Sequence, residues 1–294
     1  MLALPCVFSL EARSDTMTPT PAAPAPAVEP GFLGFVDRLP EFVDTNLPFF
    51  APRGAYWFYA RPRIGNPLDG KYFRLDAGMW VKVTKAIDFN IGAQSYLWRD
   101  QTVNDATRWG FNGATTGIKY NRSLPGPIGT AMSVGLNFST PIGRPPSSLS
   151  DGFRRTDPFF TYTRPLSVRL RVVGFASVGA DMLAHTSLPN SYGKNALHSN
   201  SLNGAVGATR EFRYFAVTAS LNGATTALMS KHALQVFSVN PQVTIPAENI
   251  FPALCAKLPH WHFNLSLSAH ATTGPDGRQY GAGSSVSVNF TSRK

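Results

Sequence analysis

Four side chains on one short stretch have the types that nucleophilic chemistry needs. His262, Ser266, Ser268 and His270 sit at alternate positions of the segment Trp261–His270. A serine hydroxyl beside a histidine base is the minimal arrangement for covalent catalysis, provided that a third group orients the base. The spacing argues against it. Residues four apart on a strand lie about 13 Å from each other, and no nearby acid stands ready to orient either imidazole. Three further histidines, His185, His198 and His232, fall in Gly-, Ser- and Asn-rich stretches and are the best candidates for a hydrolytic cluster at a rim. No C-x-x-C, H-E-x-x-H, G-x-S-x-G or phosphate-loop spacing occurs in the chain,. The expectation is therefore no catalytic residue, no metal site, no cofactor and no enzyme.

The elements that carry these side chains are more informative. From Lys71 to Trp98, apolar residues alternate with polar ones. Phe73, Leu75, Met79, Val81, Ile87, Phe89 and Ile91 fall on one face. Tyr72, Arg74, Asp76, Trp80, Lys82, Asp88, Asn90 and Gln94 fall on the other. Period-two alternation is the mark of a β-strand with two unlike faces. Each strand runs to the 9–11 residues or so that a bilayer requires of a tilted strand. The same alternation recurs around Val134 and Leu136, around Leu265 with Asn264, and around Val288. Arg169 and Arg171 alternate with Val168, Leu170 and Val172. Twelve candidate strands are expected, at about 54–64, 71–84, 86–98, 107–121, 129–140, 158–165, 167–182, 200–211, 213–224, 234–246, 260–272 and 279–290. Those at 107–121, 158–165 and 234–246 alternate less cleanly, and Pro241 predicts a bulge or an irregular strand.

Composition agrees. The chain has 294 residues with a net charge of +10, 43% hydrophobic and only 15% charged residues. That charged fraction is well below the ~25% of soluble proteins, yet there is no apolar run long enough for a membrane-spanning helix. A barrel resolves the tension by spreading hydrophobicity over alternate residues. The polar faces carry Gly, Ser, Asn and Thr with single basic residues, and no Lys/Arg stripe suggests nucleic acid. Thr84-Lys85, Arg164–Leu166 and Phe212-Arg213 predict tight turns. The links at 99–106, 141–157, 183–199 and 225–233 predict long loops on the opposite side. The long link at 247–259 breaks that rule, and one helical turn is expected near Pro252–Lys257. Tyr56, Trp57, Tyr59, Tyr96, Trp98, Trp109 and Trp261 are expected at strand ends as an interfacial girdle.

Ahead of the strands, residues 1–15 read as a truncated secretory signal and 16–31 as a Pro/Ala-rich linker,. Residues 32–53 read as a periplasmic or barrel-mouth segment, which covers apolar surface beside the first strand or, alternatively, rests at or enters the barrel mouth. Residues 54–290 form the barrel and 291–294 a tail. Cys6 and Cys255 predict no structural disulfide,.

With these residues in view, the chain resembles bacterial outer-membrane β-barrels of the porin and transporter kind. Ser285–Phe290 (SVSVNF) is similar to the Phe-ended terminal strand that such proteins present to their assembly machinery, although Thr291–Lys294 follows here. Gly117–Tyr120 and Leu136–Gly143 are similar to the phenol meta-pathway family of outer-membrane proteins. The expectation is an all-β, transmembrane, antiparallel up-and-down barrel of about twelve strands in the outer membrane, with both termini periplasmic. Its partners would be outer-membrane lipid, the assembly machinery and a small solute. It would pass small anionic or aromatic solutes through a lumen lined by Tyr72, Arg74, Asp76, Trp80, Lys82, Asp88, Asn90, Gln94, Arg169, Arg171, His262, Asn264 and His270. Tyr96 and Trp98 would add solute contacts. An enzyme acting on lipid or peptide and a plugged structural barrel are the alternatives.

Overall fold

The computed structural model describes residues 46–48, 56–64, 72–100, 106–143, 152–186, 199–229, 233–253, 261–274 and 277–290. Twelve strands follow one another: β1 (Tyr56–Ile64), β2 (Tyr72–Lys82), β3 (Ile87–Asp100), β4 (Ala106–Ser123), β5 (Ala131–Thr140), β6 (Arg154–Ser167), β7 (Val172–Ala184), β8 (Ser201–Glu211), β9 (Ala216–Thr225), β10 (Gln235–Pro246), β11 (Trp261–Gly274) and β12 (Gly277–Phe290). Each pairs antiparallel with the next, and β12 comes round to lie against β1, so the sheet is an up-and-down barrel. The fold is the all-β architecture expected from the alternation.

Short turns gather at one end. The link after β2 is fastened by the Thr84 hydroxyl, which accepts from the Ile87 N–H at 2.9 Å, while the Val83 N–H donates to the Ile87 carbonyl at 2.9 Å. Both the start of β1 and the end of β12 lie at this end, since Tyr56 pairs with Phe290 and with Val81. The link after β10 departs from the tight-turn rule as expected. It opens with a short 3-10 helix, Ala247–Asn249, and is helical again at Pro252 and Ala253. The rest of the turn expected to Lys257 lies outside the described residues.

One local expectation is corrected, and two irregular strands find their cause. Arg164–Leu166 is not a turn but part of β6, and the reversal falls at Val168–Arg171, where the Arg171 N–H donates to the Val168 carbonyl at 3.1 Å. Arg171 adopts φ 49, a left-handed conformation that a tight reversal demands,. In β4, the register against β3 shifts between Gln94 and Ser95. An extra residue there moves the outward positions from Ile118 and Tyr120 to Trp109 and Phe111, all exposed,. That bulge is why the strand alternates poorly in the sequence. Pro241 causes no register shift. It stays in step with Ala219, and the ladder to β11 merely lapses between Val239↔Ala271 and Gln242↔Ser268.

The outside is apolar and open. Phe73, Phe89, Ile91, Val134 and Leu136 are exposed, and Leu75, Met79, Val81, Ile87 and Leu265 are half-buried. Val288 belongs to the described backbone only. A barrel with its large apolar side chains facing outward on strand after strand is the inverse of a soluble β-protein. Ile91→Arg is expected to cost about 2–4 kcal/mol if this face meets hydrocarbon near the midplane. A refolding titration in lipid vesicles reads that loss, and an unchanged midpoint would place the face in water.

Most of the core sits inside the tight-turn half, with Tyr96, Phe153 and Ala180 buried nearer the loop end. Leu47, Trp80, Ala131, Phe159, Val173, Phe175 and Ala216 are buried in the tight-turn half. Aromatic rings lie flat on glycines of the neighbouring strand. Phe159 covers its cross-strand partner Gly135, where a Cβ would fall 2.6 Å from the ring. Phe175 covers Gly207 in the same way, at 2.5 Å. Tyr59 lies across Gly78 and Gly92. Only glycine permits so close an approach. Tyr59 and Tyr96 thus turn into the lumen rather than joining the girdle, whereas Trp109 faces out at 75% exposure. The side chains of Trp57, Trp98 and Trp261 lie outside the described residues.

Candidate functional site: the tight-turn end of the lumen

Three strands bring four polar side chains to one spot. Register places Lys82 of β2 opposite Asp88 of β3, and Asp88 opposite Lys119 of β4. Lys82 Nζ lies 2.7 Å from one Asp88 oxygen, and Lys119 Nζ lies 3.7 Å from the other. Asn121 donates to Asp88 Oδ2 at 2.8 Å. Lys119 also stands 4.5 Å from the centroid of the Trp80 ring, a cation–π geometry,. All these side chains are buried, Lys119 at 0% exposure and Asp88 at 1%. Charges so far from water persist only when paired and hydrogen-bonded.

The wall is not the whole site. Asn46–Pro48, which precede β1, lie inside the barrel. Leu47 is 2% exposed, and its carbonyl accepts from Lys119 Nζ at 2.7 Å. The Asn46 carbonyl accepts from Ser133 at 2.6 Å and from Thr161 at 2.9 Å, and these two hydroxyls also touch each other. Asn137 donates to Asn46 Oδ1 at 3.1 Å. The segment is thus tied to β4, β5 and β6 through its main-chain oxygens. Of the two placements expected for residues 32–53, its described part takes the lumen and not the outer surface.

The expected lining residues divide into groups. Trp80, Lys82, Asp88, Asn90 and Asn264 are buried inside the tight-turn half. Arg74 and Asp76 face inward nearer the loop end, and the guanidinium donates to the carboxylate at 2.9 Å. Gln94 is half-buried, and His270 is exposed toward the loop end. Arg169 and Arg171 are corrected. They lie in the turn after β6, not in a strand wall, because the chain reverses four residues later than expected. Arg169 is exposed and Arg171 pairs with Glu211 at 3.1 Å. The side chains of Tyr72 and His262 lie outside the described residues. Lys119, Asn121, Ser133, Asn137 and Thr161 were missed as a group. Each occupies an inward position of an alternating strand, which was the available signal. The bulge in β4 hid it for Lys119 and Asn121, and nothing local marks the lumenal partner of Ser133, Asn137 and Thr161.

Among the described residues, the two serines of β11 are bonded elsewhere than to the expected histidines. The Ser266 hydroxyl bonds to Thr244 at 2.8 Å, and Ser268 donates to the Gly283 carbonyl at 3.3 Å. Neither interaction involves a histidine. His185 is exposed and packs on Phe153 with ring centroids 5.1 Å apart, while His198 and His232 lie outside the described residues. Among the described residues no cluster of His, Cys, Asp and Glu could hold a metal ion, and no helix is long and apolar enough to cross a membrane.

The class that fold and site define is a β-barrel with an apolar exterior and a chain segment bound in its lumen. Comparison with protein-family models and with curated proteins found no match for this chain.

Proposed function

We propose that the protein is an outer-membrane channel or transporter for small solutes, and that the structure represents its closed form. The observation that supports this reading is the seating of Asn46–Pro48 against Lys119, Ser133, Asn137 and Thr161. Main-chain carbonyls bonded to a polar lumen wall close the tight-turn end without any covalent or metal tie. In this reading both termini are periplasmic, the apolar exterior meets lipid, and assembly follows the route of other outer-membrane barrels. The resemblance to porins, transporters and the phenol meta-pathway family points the same way, toward small anionic or aromatic solutes moving by passive diffusion.

Selectivity in such a pore comes from width and lining charge. Here the basic residues have acidic neighbours: Arg74 with Asp76, Lys82 with Asp88 and Arg155 with Asp181. The chain lacking residues 16–50, reconstituted in planar bilayers, is therefore expected to show a weak preference for anions. A strong cation preference would overturn the assignment of solute class. A plugged structural barrel is favoured by the same lumenal contact. It predicts that the full chain never passes solute, whereas a channel shows openings at some applied voltage or solute concentration.

A further inference from the structure

Among the described residues, the seam between the first and last strands is incomplete. β1 pairs with β2 along its whole length, and β12 pairs with β11 along its whole length. Against each other they pair only from Tyr56↔Phe290 to Ala60↔Val286. Among the described residues, Arg61–Ile64 and Ala282–Ser285, which would face each other in this register, therefore have one neighbouring strand each. Sequence supplies the cause. Pro62 has no N–H to give to a ladder. Opposite it, Gly281–Ser285 reads Gly-Ala-Gly-Ser-Ser, residues with little preference for strands,. The unpaired stretch is in the loop-end half of the wall. The tight-turn half, where the lumen is filled, is the half that is sealed.

Outside, next to this stretch, is a groove of about 360 Å³. Its floor is Ala271 and Thr273, and its walls are Phe237 on β10 and Tyr280 on β12. Phe237 leans away from β11 onto Gly223, where a Cβ would lie 3.3 Å from the ring, and this leaves the floor open. Arg278, exposed, stands at the loop end of the groove.

We propose that the wall between β1 and β12 is a lateral exit from the lumen to the outer leaflet. Its cargo is a small amphiphile with an apolar body and one anionic end. The molecule enters from the loop end, meets the closed tight-turn end, and leaves sideways through the unpaired stretch. The groove receives its apolar body and Arg278 its charge. This rests on the membrane-barrel reading but not on passage through the tight-turn end.

The test joins the two strands. Pro62→Cys and Ser284→Cys continue the seam register, in a chain whose Cys6 and Cys255 are replaced by Ser. They are bridged by oxidation, or by a bis-maleimide where the gap is too wide for a direct bond. The probe is pyrenebutyrate, and the readout is its rate of entry into outer-membrane vesicles that contain the full chain. Bridging is expected to reduce entry several-fold, toward that of vesicles without the protein, and reductant should restore it for the disulfide form. Unchanged entry after bridging would overturn the proposal. So would amides of 281–285 exchanging with deuterium as slowly as those of 286–290 in the unmodified chain. Heat-dependent gel mobility of the same samples reports whether the barrel is folded in the membrane at all. A failure of the membrane reading is thereby distinguished from a failure of the lateral exit.

Discussion

Deleting residues 16–50 is expected to convert a barrel that rests closed into one that conducts steadily. The deletion removes Asn46–Pro48, whose carbonyls bind Lys119, Ser133 and Thr161 and whose Leu47 packs in the core of the tight-turn half. What it exposes is polar: two lysines, Asp88, Asn121, Asn137 and hydroxyls, which water can solvate without collapse of the wall. The deletion touches none of the strand ladders, so the barrel should still fold. Single-channel recording of the full and shortened chains checks this. Equal conductance in the two would mean that the segment does not obstruct the path.

The second large effect is expected at Asp88. Its two oxygens face Lys82 and Lys119, and Asn121 donates to one of them. Asp88→Ala would leave both buried ammonium groups without this carboxylate. Removing one member of a buried ion pair costs about 3–5 kcal/mol. Lys82→Met should cost less, because Asp88 would retain Lys119 and Asn121 and the methionine fills the space of the lysine stem. The ranking, Asp88→Ala well below Lys82→Met, is read from urea unfolding in lipid vesicles. A reversed order would mean that Asp88 does not hold this cluster together.

These two effects mark where sequence reasoning ran well and where it stopped. Strands were legible because an apolar outside and a polar inside impose opposite demands on neighbouring residues. Lys71–Trp98 could hardly be read in another register without placing Arg74, Asp76, Lys82 and Asp88 on the apolar side. Lys82 and Asp88 were found for that reason. The turn at Val168–Arg171 was misplaced because Val168, Arg169, Leu170 and Arg171 continue the alternation by chance past the end of β6. No Gly or Asn marks the left-handed position that Arg171 occupies. The closure was least legible. Asn46–Pro48 carries no pattern of its own, since apart from the Asn46 side-chain oxygen it binds the wall through main-chain oxygens that every residue possesses. Its partners come from three strands distant in sequence, and only the folded barrel brings them to one place.

In the proposed function, the segment ahead of β1 occupies the lumen while the barrel sits in the outer membrane. Asn46→Cys paired with Thr161→Cys, in a chain without Cys6 and Cys255, tests it most directly. The Asn46 carbonyl already accepts from the Thr161 hydroxyl at 2.9 Å. Oxidation of intact outer membranes containing this chain is expected to give an intramolecular disulfide and to protect both thiols from a bulky maleimide. Two free thiols, both labelled in the membrane fraction after oxidation, would contradict it.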